Sequence, residues 1–164
     1  MRRLIYATAL TLSFSLQAEA QMPSNALRGL SQIHLVIEPL NGNDITCGLT
    51  EEAIRAAVLF PASSARFQIT NPFVPTVLYV QTTTLFFGPQ HSCVTNINMR
   101  VYSWQEVTLN FSGGNAFARI ELWNTGYIIG GPQSGHPRRI AQVIEDLTKK
   151  FVTDWNFDNK AFGN

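Results

Sequence analysis

A helical repeat of apolar positions marks residues 136–155. The apolar side chains recur every three or four positions and therefore fall on one side of a helix. They are Ile140, Val143, Ile144, Leu147, Phe151 and Trp155. Charged and polar residues occupy the other side, and Pro137 suits a first helical position, where no amide donor is needed. The pattern predicts a long amphipathic helix against which the rest of the chain packs.

Alternation of apolar and polar residues predicts strands elsewhere. Residues 30–40 alternate, and Thr76–Phe87 is rich in β-branched and aromatic residues. In residues 94–111 one face holds aliphatic and aromatic side chains at odd positions, namely Ile97, Met99, Val101, Val107, Leu109 and Phe111. The last of these segments is longer than the usual strand of about 5–6 residues, so we expect a bend or break near Trp104.

Turn and cap residues complete the layout. Ser112-Gly113-Gly114-Asn115 is typical of a hairpin turn and predicts a return strand over residues 116–129. Residues 66–70 read as a short strand. Thr50 is a suitable N-cap for a helix that we expect to end near Leu59, because Pro61 disfavours helical backbone at the residue before it.

These elements predict one α+β domain. Its order is strand, helix, three or four mostly antiparallel strands and helix, or β-α-β-β-β-α. The expected architecture is a single mixed, mostly antiparallel sheet of about 4–5 strands with two helices on one face.

The first twenty residues have the pattern of a cleaved secretory signal peptide. Arg2 and Arg3 precede an apolar run over residues 4–16, and Ala18-Glu19-Ala20 is an A-x-A cleavage site. The run is shorter than the roughly 20 residues that span a bilayer, which disfavours the alternative of an uncleaved anchor. We expect cleavage after Ala20, a single mature domain over residues 21–164, and a periplasmic or extracellular location.

The two cysteines of the mature chain, Cys47 and Cys93, are expected to form a disulfide, because exported proteins fold in an oxidising compartment. They lie at the same end of the sheet if Thr76–Phe87 runs parallel to the first strand. They lie at opposite ends if it instead forms a hairpin with residues 66–70. The alternative is a metal pair or reactive thiol, but neither cysteine belongs to a C-x-x-C motif.

The charge balance disfavours two classes of partner. The whole chain has 12 basic and 11 acidic side chains, and removal of residues 1–20 leaves 10 of each. A neutral chain offers no electrostatic attraction for nucleic acid or an anionic membrane surface. The sequence also predicts no metal site and no cofactor, because its three histidines are far apart and no binding motif is present.

The sheet face opposite the helices is the first candidate site. No predicted element covers this face, and aromatic and arginine side chains are enriched where proteins bind each other. The candidate partner-binding residues are Arg100, Tyr102, Trp104, Arg119, Glu121 and Trp123. The partner is a protein or envelope component, or a second copy in a homodimer through this face. The alternative is that these residues are ordinary cross-strand pairs of a solvated sheet.

The glycine-rich loop before the last helix is a second candidate, as an anion site. Backbone amides at a helix N-terminus followed by basic residues favour anions. The residues concerned are Gly131, Ser134, Gly135, His136, Arg138 and Arg139. The alternative is a flexible strand-to-helix connection.

Catalytic motifs are scarce, so no catalytic residue is assigned. Asp154 and Asp158 are four residues apart but read more simply as a polar helix end. The sequence therefore favours a non-enzymatic exported binding or envelope-accessory protein that acts through the open sheet face. The alternative is a small secreted hydrolase or lyase, which needs a pocket containing an acid and at least two of His34, His91 and His136.

Overall fold

The structure is a computed structural model that describes residues 25–70, 74–111 and 113–160. Within these ranges the chain forms one five-stranded sheet and three α-helices. In chain order the elements are β1 (Gln32–Ile37), α1 (Gly42–Thr46), α2 (Glu51–Ala62), β2 (Gln68–Thr70), β3 (Thr76–Phe87), β4 (Ser92–Thr108), β5 (Asn115–Pro132) and α3 (His136–Asn159). The expected signal peptide and its cleavage site lie outside the described residues.

The sheet has the strand order β2-β1-β3-β4-β5. β1 is parallel to both β2 and β3, whereas β3, β4 and β5 are successively antiparallel. This confirms the predicted mixed, mostly antiparallel α+β sheet. It also decides between the two arrangements left open by the sequence, since β2 pairs with β1 and not with β3.

The long strand β4 is continuous where a bend or break was expected. β4 runs without interruption from Ser92 to Thr108, because β3 supports it as far as Ser103 and β5 pairs with it to the hairpin end. The strand does not break near Trp104, and a bend there stays a prediction. The irregularity is instead one register shift against β5, where Val101 pairs with Trp123 and Tyr102 pairs with Glu121.

α2 is longer than its sequence indicated. It continues to Ala62 with Pro61 inside its last turn, so the predicted end near Leu59 is wrong. The missing amide of Pro61 removes one helical hydrogen bond, the one to the Ala57 carbonyl, and serine side chains bind carbonyls of the last turn. The Ser63 and Ser64 hydroxyls donate to the carbonyls of Phe60 and Pro61.

The apolar stripe of α3 forms the centre of the core. Phe151 is fully buried, and its ring lies 5.3 Å from that of Phe67 and 5.1 Å from that of Trp123, measured between ring centroids. Odd-numbered residues of β4 face this stripe, among them the fully buried Ile97 and Met99. α1, α2 and α3 all pack on this one face, which confirms the predicted placement of the helices.

The predicted disulfide is present between Cys47 and Cys93. Both residues are fully buried, and their Cα atoms are 6.2 Å apart. The bond joins the end of α1 to the start of β4. The two cysteines lie at the same end of the sheet because β1 and β3 are parallel.

Side chains near the end of α3 hold the N-terminal turn of the described chain. The Leu27 amide donates to Asp158 at 3.0 Å, and the Gly29 amide donates to Asn159 at 2.8 Å. The Trp155 indole donates to the Leu30 carbonyl. Asp158 is therefore a buried structural acceptor, which the reading of this segment as a polar helix end did not anticipate.

Candidate functional site

The sheet face opposite the three helices carries a ladder of stacked side chains across β3, β4 and β5. None of the described helices packs on this face. The Trp104 and Phe117 rings are stacked, with centroids 6.1 Å apart and planes inclined by 15°. The Arg119 guanidinium lies 4.7 Å above the centre of the Tyr102 ring, and Tyr102 lies 5.8 Å from Tyr79. Aromatic and cation–π contacts thus join the three strands, and the cross-strand pair Trp104–Arg119 places the two groups of contacts side by side.

Local pairing explains why these side chains share a face. Trp104 pairs with Arg119 and Tyr102 pairs with Glu121, so all four point away from the helices. Arg100, two positions before Tyr102, points the same way. The structure therefore brings together five of the six residues predicted for this surface.

The inner end of the ladder is its most desolvated part. Burial raises the pKa of Tyr79, and a hydrogen bond and charge interaction with Glu38 add to this effect. Burial also raises the pKa of Tyr102, although Arg119 and Arg100 act in the opposite direction. The Glu38 oxygen Oε2 is buried and has no hydrogen bond from the described residues. Both phenols are therefore hydroxyl donors and acceptors at neutral pH.

The outer end of the ladder is exposed. Trp104 retains 41% of its accessible surface and Phe117 retains 73%. Large apolar side chains at the surface mark sites of interaction when they adjoin one another. Phe117 and Tyr79 are not among the residues predicted for this surface. The signal for Phe117 was available, because it shares odd parity with Arg119 and Glu121 on the return strand.

The prediction that Trp123 belongs to this open face is wrong. Its side chain is only 7% exposed and packs against Phe151 on the helix side. Its indole nitrogen donates to Asp154 at 2.8 Å. The register shift leaves Leu122 as an extra residue in β5, and an extra residue reverses the direction of every side chain after it.

The predicted anion-binding residues do not converge on one point. The Arg139 guanidinium turns back and donates to the Pro132 carbonyl at 2.9 Å, beside Gly131. His136 is fully buried, whereas Ser134 and Arg138 are exposed. α3 has Gly135 as its N-cap and no side-chain cap. The imidazole of His136 lies in the interior of the protein. Anion binding by this loop stays a prediction.

His136 instead ends a buried chain of hydrogen bonds that begins at Asp44. Thr84 Oγ1 donates to the Asp44 carboxylate at 2.5 Å, the Thr84 and Thr95 hydroxyls are 2.7 Å apart, and Thr95 Oγ1 is 2.7 Å from His136 Nε2. Since Thr84 gives its only proton to Asp44, it accepts from Thr95, and Thr95 accepts from His136. This order of donors places the proton of a neutral His136 on Nε2.

The remaining nitrogen of this histidine has no partner. His136 Nδ1 is buried and makes no hydrogen bond with the described residues. Protonation there would bury a charged donor that has no acceptor. Burial accordingly lowers the pKa of His136, and the charge of Arg139 lowers it further. The chain is a directed structural network under the disulfide end of the sheet, with the imidazole of His136 at one end and the carboxylate of Asp44 at the other.

The residues required for a hydrolase or lyase site lie on separate elements. His34 is half-buried on β1, where Nδ1 is 3.1 Å from the Thr70 carbonyl, and His91 is exposed in the turn before β4. A cleft of about 470 Å³ opens between the N-terminal turn and the ends of β3 and β4, and its lining includes no acid or histidine. Within the described ranges, no cluster of three metal-ligating side chains occurs. None of the helices described is long and apolar enough to cross a membrane.

Comparisons with known proteins give little to set beside this geometry. No family model matches the sequence, and no curated protein matches it. Among solved structures, the chain is similar to the 2.35 Å crystal structure of a minor lipoprotein from Acinetobacter baumannii. The two are 10% identical, the match covers 78% of this chain and 92% of the other, and the TM-score is 0.36. A likeness of this strength carries no argument about fold or function.

Proposed function

We propose that this protein is an exported, non-enzymatic binding or envelope-accessory domain that engages a macromolecular partner through the open sheet face. The observation that carries the proposal is the Trp104–Phe117 stack, exposed at the end of a ladder that continues through Arg119 and Tyr102. Aromatic and arginine side chains held rigidly by their neighbours lose little conformational entropy when a partner binds.

The arrangement of the ladder suits recognition of a protein. Its outer end offers apolar area, its middle offers the Arg119 guanidinium, and its inner end offers the phenol hydroxyls of Tyr79 and Tyr102. An apolar anchor beside directed polar groups is the usual composition of an interface core. The neutral charge of the predicted mature chain favours a partner recognised by shape and stacking over one recognised by net charge.

Export is supported by two independent features. The first twenty residues have the signal-peptide pattern, and the structure contains a buried disulfide, which persists in oxidising compartments. Mass spectrometry of the protein from its native source should find a chain that begins at Gln21 with Cys47 and Cys93 oxidised. A chain that retains Met1, or two free thiols, would contradict export.

A crosslinking pulldown from the cell envelope tests the binding surface. The bait is the mature, oxidised protein, and the variant is Trp104→Ala with Phe117→Ala. The matched control is Leu85→Ala with Phe87→Ala, which removes exposed apolar side chains from the other end of the same face. We expect a specific partner to be lost with the first variant and kept with the second. Retention of every partner by the folded first variant would refute the proposal.

A further inference from the structure

The two edges of the sheet are very different in length and protection. The β2 edge has three residues, whereas the β5 edge has 18 and pairs only with β4 among the described strands. Proteins usually protect a free edge with lysine or other charges, an internal proline, a β-bulge or a short strand, because unpaired backbone groups are a template for another strand. β5 contains no lysine, and its one proline is its last residue, Pro132. Its one register shift, at Leu122, lies beyond residues 115–121, which pair with β4 in an unbroken register.

The hydrogen bonds of the sheet show which residues of β5 present their backbone to this edge. The Trp104 amide donates to the Pro75 carbonyl, toward β3, so Trp104 and its partner Arg119 are a non-hydrogen-bonded pair. The Leu109 amide donates to the Gly114 carbonyl, so these two residues are a hydrogen-bonded pair. Counting from this pair toward Trp104 gives the same result. In an antiparallel ladder these pairs alternate. Arg119 and Glu121 therefore point their N–H and C=O groups outward.

The charges on this part of the edge select one way of pairing β5 with itself. Arg119 and Glu121 are adjacent on the open face, two positions apart. An antiparallel pair centred on Arg119 or on Glu121 would place like charges opposite each other. A pair centred on Ile120 places the Arg119 of each copy opposite the Glu121 of the other copy, which gives two ion pairs. Opposite charges directly across a strand pair are stabilising.

We propose that two copies of this chain associate through β5, antiparallel, about a twofold axis at Ile120. Arg119 and Glu121 supply the outward backbone hydrogen bonds and two reciprocal ion pairs, and the two Ile120 side chains meet on the helix side. The dimer contains one continuous ten-stranded sheet. Its two open faces lie side by side, so each Phe117 and Trp104 lies near the junction. A C₂ contact of this kind is self-complementary and closed.

Charge reversal tests the pairing with purified mature protein and no other component, so its outcome is independent of the partner proposed above. Sedimentation velocity should find a dimer of the unmodified chain, and Arg119→Glu or Glu121→Arg alone should weaken association at least tenfold. The double variant Arg119→Glu with Glu121→Arg should restore it, since the ion pairs are re-formed in reverse. Arg138→Glu, exposed on α3, is the control for charge alone and should remain a dimer.

Cysteine crosslinking tests the register. At the twofold axis the two Ile120 residues form a non-hydrogen-bonded pair, with Cα atoms about 4.5 Å apart, within the disulfide range of about 4.4–6.8 Å. Ile120→Cys should give a covalent dimer on mild oxidation. Ala118→Cys, on the same face, should not, because position 118 of one copy lies opposite position 122 of the other copy. A monomer at every concentration, single reversals that stay dimeric, or crosslinking through position 118 would each overturn the proposal. Circular dichroism verifies that each variant is folded.

Discussion

Trp104 and Trp123 belong to the same pair of strands but to opposite faces of the sheet. Trp104 is stacked on Phe117 and exposed, whereas Trp123 is packed on Phe151 and hydrogen-bonded to Asp154. The difference arises from a single extra residue, Leu122, between Glu121 and Trp123. Two identical side chains on one hairpin therefore have different environments. The helix side holds the core together, and the open side remains available for contacts.

The largest predicted effect separates these two tryptophans directly. Trp123→Ala should lower the free energy of unfolding by about 3–5 kcal/mol, because it leaves a cavity beside Phe151 and removes the indole hydrogen bond to Asp154, which keeps only its ion pair with Lys150. Trp104→Ala should cost about 1 kcal/mol or less, since it loses mainly one surface stack. Urea unfolding of the two oxidised variants measures both values. Equal losses would mean that the open face is part of the core.

The next effect concerns the covalent link on the helix side. Replacement of Cys47 and Cys93 by alanine should destabilise the protein by about 3–4 kcal/mol, because the bond closes a loop between residues 46 positions apart. The same measurement on the unmodified protein with and without reductant gives an independent value. A stability loss below about 1 kcal/mol would contradict this role of the disulfide.

The smallest effect is a dependence of stability on pH, and it arises from His136 in the buried chain of hydrogen bonds that begins at Asp44. The folded pKa of His136 lies below its value in the unfolded chain, near 6.5. The unfolded state therefore binds more protons than the folded state. The contribution of His136 to stability is complete above about pH 6.5 and declines as the pH falls toward the folded pKa. Unfolding in urea at about pH 7.5 and 5.5 should show this loss.

A substitution assigns that pH dependence to one histidine. His136→Gln keeps an amide donor for Thr95 but cannot titrate, so it should flatten the decline. His91→Asn is the control, because His91 is exposed and asparagine tolerates its positive φ of 44°. An unchanged slope in the His136 variant would show that other groups cause the decline.

The sequence pattern predicted the architecture well because the apolar periods are long and consistent. Thr76–Phe87 is a strand with the predicted bounds, α3 begins at the predicted residue, and odd positions of β4 face inward to Val101. The disulfide followed from the number of cysteines and the expected compartment. The strand and helix predictions rest on the burial of one face, a pattern that repeats along the whole element.

The errors have a different physical origin, since each concerns one residue. A bulge at Leu122 leaves no trace in an alternation where Leu122 and Trp123 are both apolar, so the face of Trp123 could not be predicted. The buried chain was missed for a different reason, because it connects residues far apart in sequence. One signal did exist: Thr95 is a polar residue at an odd position between the buried Cys93 and Ile97.

The attachment of the N-terminal turn to the end of α3 has a mechanical consequence. Leu27 and Gly29 are held by Asp158 and Asn159, so the two ends of the described chain leave the fold at the same place. A pulling force applied between these ends loads a few side-chain hydrogen bonds first and reaches the sheet only after they break. For the same reason, a short linker joining the two ends, with a new opening in the β4–β5 turn, should give a circularly permuted chain that keeps this fold.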